Sequence, residues 1–319
     1  MSRPILVGYD PRTADREPVN FGVAAARLTG APLVVACVHV GPRPLAVSAG
    51  QPLSYAIVPA DDSLVSDCSH TLRQLEEELE AEGVSADYLK LPGDSAARAL
   101  NEAAEAHQAG VLVVGSGRRN RAPKVLGSTA ERLVHGAPCP IAVVPHRWAA
   151  GEVETIGVAF VDSKEGREAL RGAHALARRM GATLRVITVV KPRMVMYGDT
   201  EATTAVRPGR DFESVLGEHR VEAERRTRQI ADALLGDGAP IEVDAFVGDP
   251  ADVLVDLSEH LDLLVSGSRG YGPLRAVLLG SVSRRVVAEA SCPVIVLPRG
   301  VESSLQALLE PAPGTPAAA

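Results

Sequence analysis

Two rhythms of apolar residues alternate along the chain. Runs such as "PILVGYD" (4–10), "PLVVACVHV" (32–40) and "GVLVVGS" (110–116) are apolar nearly throughout and too short for helices. They read as strands buried on both faces. Between them lie segments with helical spacing: "PVNFGVAAARLT" (18–29), closed by Gly30, "TLRQLEEELEAEG" (71–83), "SAARALNEAAEAH" (95–107) and "STAERLVHG" (128–136). Ser95 stands where a helix N-cap is expected, and the glycines after helices mark C-caps. "SADYLKLP" (85–92) and "CPIAVVP" (139–145) complete the strands. The later chain repeats the order. Strands are predicted at 155–161, 183–190, 241–247, 261–266 and 293–297, and helices at 165–179, 216–235, 250–259 and 281–290. Irregular inserts are expected at 41–63 and 191–214, each after a second strand.

The two halves are one unit written twice. "GSTAERLVHGAPCPIAVVP" (127–145) matches "GSVSRRVVAEASCPVIVLP" (280–298) without a gap. "VLVVGSG" (111–117) answers "LLVSGSR" (263–269), "GAPLVVACV" (30–38) answers "GATLRVITV" (181–189), and "ILVGYD" (5–10) answers "GVAFVD" (157–162). Alternating strands and helices with right-handed crossovers imply an α/β fold: two tandem doubly wound, Rossmann-like units, each with a five-stranded, mainly parallel sheet. The units are expected at 1–147 and 153–300, and the Pro- and Ala-rich segment 301–319 is expected to be a disordered tail.

Composition narrows the function. The net charge of −7 and the low aromatic content of 3% disfavour nucleic-acid partners, which require cationic surfaces and stacking platforms. No run approaches the ~18 apolar residues of a membrane span, and "MSRPILVGYD" lacks the long apolar core of a signal peptide, so a cytoplasmic protein is expected. The four cysteines, Cys37, Cys68, Cys139 and Cys292, have no metal-ligand spacing and are expected to be separate buried thiols. The scattered histidines suit surface or satisfied core positions. No Walker loop, G-x-G-x-x-G or G-x-S-x-G occurs, which disfavours P-loop NTPases, ordinary dinucleotide enzymes and elbow-type hydrolases.

In an open parallel sheet, ligands bind beyond the C-terminal strand ends. The loop after the fourth strand of the second unit carries G-x2-G-x9-G-S: Gly267, Gly270, Gly280 and Ser281. Glycines let backbone N–H groups approach an anion, and a helix opening on Gly-Ser presents N–H groups and a dipole to phosphate. Arg269 and Arg275 add charge. A plainer explanation stands beside this one: glycine ends strands and serine caps helices.

This motif, with "GSVSRRVV" and "CPVIVLP" after it, resembles the ATP-binding branch of the universal stress protein family over nearly the whole chain, twice. The resemblance implies a five-stranded Rossmann-like sheet, ATP as ligand with Mg²⁺ an option, and a role in stress response or growth arrest. It further implies that the last strands of the two units meet in an intramolecular pseudo-dimer, with homodimers an option. In the second unit, Asp162 and Val189 would contact adenine. Gly267, Ser268, Arg269, Gly270, Gly280, Ser281, Val282 and Ser283 would surround ribose and phosphates, with Gly248 nearby. In the first unit the matching set is Gly8, Asp10, Val38, Gly115, Ser116, Gly117, Arg118, Gly127 and Ser128.

The departures are specific. Ser163-Lys164 follows Asp162 where the family has Gly-Ser, and Phe160 either narrows the adenine pocket or faces the core. The first unit has Arg118 in place of the second loop glycine, and a loop one residue shorter. Either Gly117 takes that glycine's part within a basic loop, or the unit has lost nucleotide binding. Asp249 and Asp94 are candidates for a Mg²⁺ carboxylate, and no residue stands out as a catalytic base. Any hydrolysis is therefore expected to be slow, and a scaffold without nucleotide is the rival reading. The inserts adjoin the cleft and suit a lid or partner contact.

Overall fold

The computed structural model describes residues 2–39, 43–47, 54–58, 62–117, 126–192, 212–236, 240–267, 280–298 and Leu305. The first unit contains β1 (Ile5–Tyr9), α1 (Glu17–Thr29), β2 (Leu33–His39), β3 (Arg43–Val47), β4 (Ser54–Val58), α2 (Asp62–Ala81), β5 (Asp87–Pro92), α3 (Ala96–Ala106), β6 (Val111–Gly115), α4 (Ser128–Gly136) and β7 (Ile141–Val144). The second contains β8 (Thr155–Ala159), α5 (Lys164–Met180), β9 (Thr183–Val190), α6 (Phe212–Leu235), β10 (Ile241–Val247), α7 (Pro250–Leu257), β11 (Leu263–Gly267), α8 (Ser281–Glu289) and β12 (Val294–Leu297).

Ten of these strands form one sheet in the order β10-β9-β8-β11-β12-β7-β6-β1-β2-β5. Each unit alone is a parallel five-stranded sheet wound in the sequence third-second-first-fourth-fifth. The strand order therefore reverses between β1 and β6, and again between β8 and β11, which opens a crevice at those two strand ends. The two sheets join through their last strands. β7 and β12 run antiparallel, with Ile141 opposite Val296, Ala142 opposite Ile295 and Val143 opposite Val294.

Helices cover both faces, which is why the strands are apolar throughout. Side chains from α1, α2 and α5 pack with Ile5, Val7, Ile156 and Val158 in one core that runs across both units. Those of α3, α4, α7 and α8 fill the opposite face with Leu6, Val34, Leu112 and Leu264. α1 and α5 end on Gly30 and Gly181, both at φ +69°, a left-handed conformation that glycine adopts without a Cβ penalty. Chain following each sheet returns to these helices. Trp148 packs edge-on to Phe21 of α1. At the equivalent place on α5, a Cβ on Gly172 would lie 3.0 Å from Leu305, which is buried there. Leu305 belongs to the stretch that sequence assigns to the tail.

Several details differ from the sequence reading. The first insert is not irregular: β3 and β4 pair as an antiparallel hairpin, and α2 begins at Asp62 rather than near residue 71. Cys37 of β2 and Cys68 of α2, both fully buried, are joined as a disulfide, because α2 lies across β2. Cys139 and Cys292 are free buried thiols. The second insert, with "RMVMYGD", lies outside the described residues apart from its ends. Among the described residues, no helix is long and apolar enough to cross a membrane.

Candidate functional site

The crevice of the first unit is built from the ends of β1 and β6 and the start of α4. Gly8 on β1 is closely packed, since a Cβ would meet Leu100 Cδ1 at 2.9 Å and Leu100 would have to shift to admit it. Asp10 follows β1. Its carboxylate accepts from the backbone N–H of Arg12 at 3.0 Å and from both ends of the Arg12 guanidinium. Val38 lies near the end of β2, paired with Leu91. At the end of β6, a Cβ on Gly115 would approach Pro18 of α1 at 3.3 Å.

The glycine loop between β6 and α4 is tightly closed where it is described. The Gly127 N–H donates to the Ser116 carbonyl at 2.8 Å. Gly117 has φ +91°, and a Cβ there would sit 3.1 Å from Gly127 Cα. Only glycine fits both conditions at this crossing. α4 then opens at Ser128 with Gly127 as its N-cap, and Gly127 has no side chain to bond the first-turn N–H groups. Glu131 is the acidic residue of that first turn. Arg118 lies outside the described residues, as do Arg119, Arg121 and Lys124.

The second unit has the same opening. Gly280 caps α8 at φ −60°, ψ 150°, again without a side-chain bond, and no acidic residue stands in the first turn. Ser281 and Val282 follow, and Ser283 is buried. Ser268, Arg269, Gly270 and Arg275 lie outside the described residues. Gly267 ends β11 beneath α5: a Cβ there would lie 2.8 Å from the Glu165 carbonyl oxygen and 2.9 Å from its carbon. The close packing of helix on strand thus demands this glycine whatever the ligand. Gly248 donates its N–H to the Val190 carbonyl at the end of β10.

The sheet register corrects one assignment. Ile5 pairs with Leu33, and Ile156 with Leu184. Carried to the strand ends, Gly8 corresponds to Ala159, Tyr9 to Phe160 and Asp10 to Val161. Phe160 is 3% exposed and belongs to the core, so it does not narrow a pocket. Asp162 falls one residue beyond the place of Asp10. Its carboxylate takes Arg167 Nε at 2.8 Å and Nη2 at 2.7 Å. Asp162 and Arg167 line a cavity of about 310 Å³ with Arg226, Gln229 and Ile230 of α6. Val189 does correspond to Val38, one residue before the end of β9.

The helices beside these openings are capped in the ordinary way. Ser95 accepts from Arg98 N–H, Ser163 from Gly166 N–H, and Asp249 from Ala251 and Asp252 N–H groups. Asp249 is thus engaged as the cap of α7, and Asp94 is an exposed neighbour of Arg98. Sequence reasoning missed one further cluster: Asp15, Glu17 and His146 hold their donor atoms within 4.8 Å of one another. Glu17 there accepts the Arg147 N–H at 2.8 Å and faces His146 Nδ1 at 3.3 Å. His146 lies 129 residues after Glu17, so no local motif announces the cluster.

The model of the universal stress protein family matches residues 1–145 and again 152–298. The chain belongs to the universal stress protein family. A universal stress protein of Mycobacterium tuberculosis is 26% identical over 304 residues, covering 92% of this chain and 99% of that protein. A single-unit universal stress protein of Thermus aquaticus is 34% identical over 148 residues, covering 45% of this chain and 98% of its own length. Among solved structures, a universal stress protein from Archaeoglobus fulgidus aligns with a TM-score of 0.63 at 19% identity, covering 94% of this chain and all of that one. The tandem architecture is therefore that of full-length relatives in the family, with two universal stress protein units in one chain.

Proposed function

We propose that this universal stress protein binds ATP at the strand-end crevices and acts as a nucleotide-dependent regulator rather than as a catalyst. One observation carries the reading. α4 and α8 open on Gly-Ser with no bond from the capping residue, whereas α3, α5 and α7 are each capped by a serine or aspartate; α1 also lacks such a bond but opens on Arg16 with a proline in its first turn instead of on Gly-Ser. First-turn N–H groups left without a side-chain cap, next to glycines, suit a phosphate chain. In the first unit Gly117 and Gly127 form a close backbone crossing at that place, and Asp10 at the end of β1 would meet a base amine on leaving Arg12. This supports Gly117 as the substitute for the glycine that Arg118 replaces. In the second unit Gly280, Ser281 and Ser283 offer the phosphate end, with Val189 at the adenine end. Asp162 reaches an adenine there only by leaving Arg167.

Mg²⁺ would travel with the triphosphate, since Asp249 is engaged as a cap. No residue stands out as a catalytic base, so hydrolysis is slow on this reading. Calorimetric titration of the intact protein with ATP, with and without Mg²⁺, tests the proposal. Submillimolar binding weakened by Ser128→Ala or by Ser281→Ala supports it and tells which unit binds. Binding weaker than millimolar under both conditions overturns it in favour of a scaffold that works through protein partners.

A further inference from the structure

The seam between the units brings equivalent residues of the two copies face to face, and at each such place the two copies differ. Ala142 and Ile295 are equivalent by the gapless match of the last strands, and they are direct partners across the antiparallel pair. Ala142 is fully buried and Ile295 is 4% exposed. Glu131 and Arg284 are equivalent in α4 and α8, and Arg284 Nη2 lies 2.8 Å from Glu131 Oε1. Leu28 and Arg179 are equivalent, two residues before the C-cap glycines of α1 and α5, and Arg179 donates to the Leu28 carbonyl at 3.2 and 3.3 Å. A symmetric pair of identical units would set like against like at these positions. Two first units would oppose Glu to Glu and Ala to Ala. Two second units would oppose Arg to Arg and Ile to Ile.

We infer that the seam is a heterotypic interface: each unit selects the other kind of unit and rejects a copy of itself. Size is matched at the sheet centre, a branched side chain against a methyl group. Charge is matched on one helical face, and a guanidinium meets a helix-end carbonyl on the other. Like charges and doubled bulk act against the wrong pairing. The surface that unit two presents thus fits a partner unit with a carboxylate at the place of Glu131 and a small residue at that of Ala142.

Single substitutions recreate the rejected seams inside the intact chain. Glu131→Arg produces the Arg–Arg face, Arg284→Glu the Glu–Glu face, Ala142→Ile the Ile–Ile centre and Ile295→Ala the Ala–Ala centre. Urea unfolding of each single variant and of the two swaps, Glu131→Arg with Arg284→Glu and Ala142→Ile with Ile295→Ala, separates pairing from local effects. Each swap should recover most of what its singles lose. For the charge pair the recovery should be roughly two- to fivefold in the unfolding equilibrium constant at low salt, and smaller in 1 M salt. Swaps that lose the sum of their singles, with no coupling and no salt dependence, overturn the inference. If a single variant fails to fold, recovery of folded protein in the swap supports the inference, and its failure there also counts against it.

Discussion

Alanine at position 267 discriminates a packing glycine from a ligand glycine. Its Cβ would stand 2.8 Å from the carbonyl oxygen of Glu165 and 3.1 Å from that residue's own Cβ. Both neighbours belong to the first turn of α5, so relief requires the helix to move off the sheet rather than one side chain to rotate. Overpacking against backbone costs about 1–3 kcal/mol. At about 2–4 °C per kcal/mol for a domain near this size, the melting temperature should fall by a few degrees to roughly ten. The contrast is Gly280→Ala. Gly280 has φ −60° and ψ 150°, a conformation that any residue adopts, and alanine at this N-cap should cost about 0.5–1 kcal/mol, below the range expected at position 267. Scanning calorimetry of both variants without nucleotide is the assay. A Gly267→Ala protein that melts with the wild type would refute the packing argument and return Gly267 to the ligand.

Other consequences follow from the same contacts. Asp249→Ala should cost about 1 kcal/mol in urea unfolding, as the loss of a helix cap does, and leave the Mg²⁺ dependence of ATP affinity unchanged. Leu305→Ala should destabilise by about 2 kcal/mol or more, because the side chain is 2% exposed above Gly172; a thermal shift near zero would place that residue outside the core. Burial pushes the Cys139 and Cys292 thiols up to about 12. A raised thiol pKa means the folded state keeps its proton longer than the unfolded chain. Stability from these thiols is therefore present below about pH 9 and declines as pH rises towards 12. The urea midpoint should fall over that range, and fall less in the Cys139→Ala, Cys292→Ala double variant.

The repeat made the architecture legible. Two copies of one strand–helix order, apolar on both strand faces, leave little besides a doubly wound sheet in each unit, and the seam through the last strands is anticipated by the family resemblance alone. Local pattern failed where a distant partner decides. The β3–β4 hairpin lies among prolines that read as breakers, and its strands are paired only with each other. The pairing of Cys37 with Cys68 depends on α2 crossing β2, 31 residues apart in sequence. Asp162 looked equivalent to Asp10 because both end a strand, yet the residue count from the paired positions differs by one. Asp162 thus lies in the bend beyond β8, where its carboxylate meets Arg167. The glycine loops before α4 and α8 were half legible. Gly-Ser at each helix start is visible in sequence, but the need for glycine at 267 arises from α5 closing over it, which no spacing records.

The antiparallel union of β7 and β12 also has a consequence for assembly. Each unit has two sheet edges, and the seam uses one from each. The margins that remain are β5 and β10, which carry Asp87 and Lys90, and Glu242 and Asp244. Charged margins resist the strand-to-strand annealing through which open sheets polymerise. Growth by sheet extension is thus disfavoured at both margins, while the join between the units, lying within one polypeptide, does not depend on concentration.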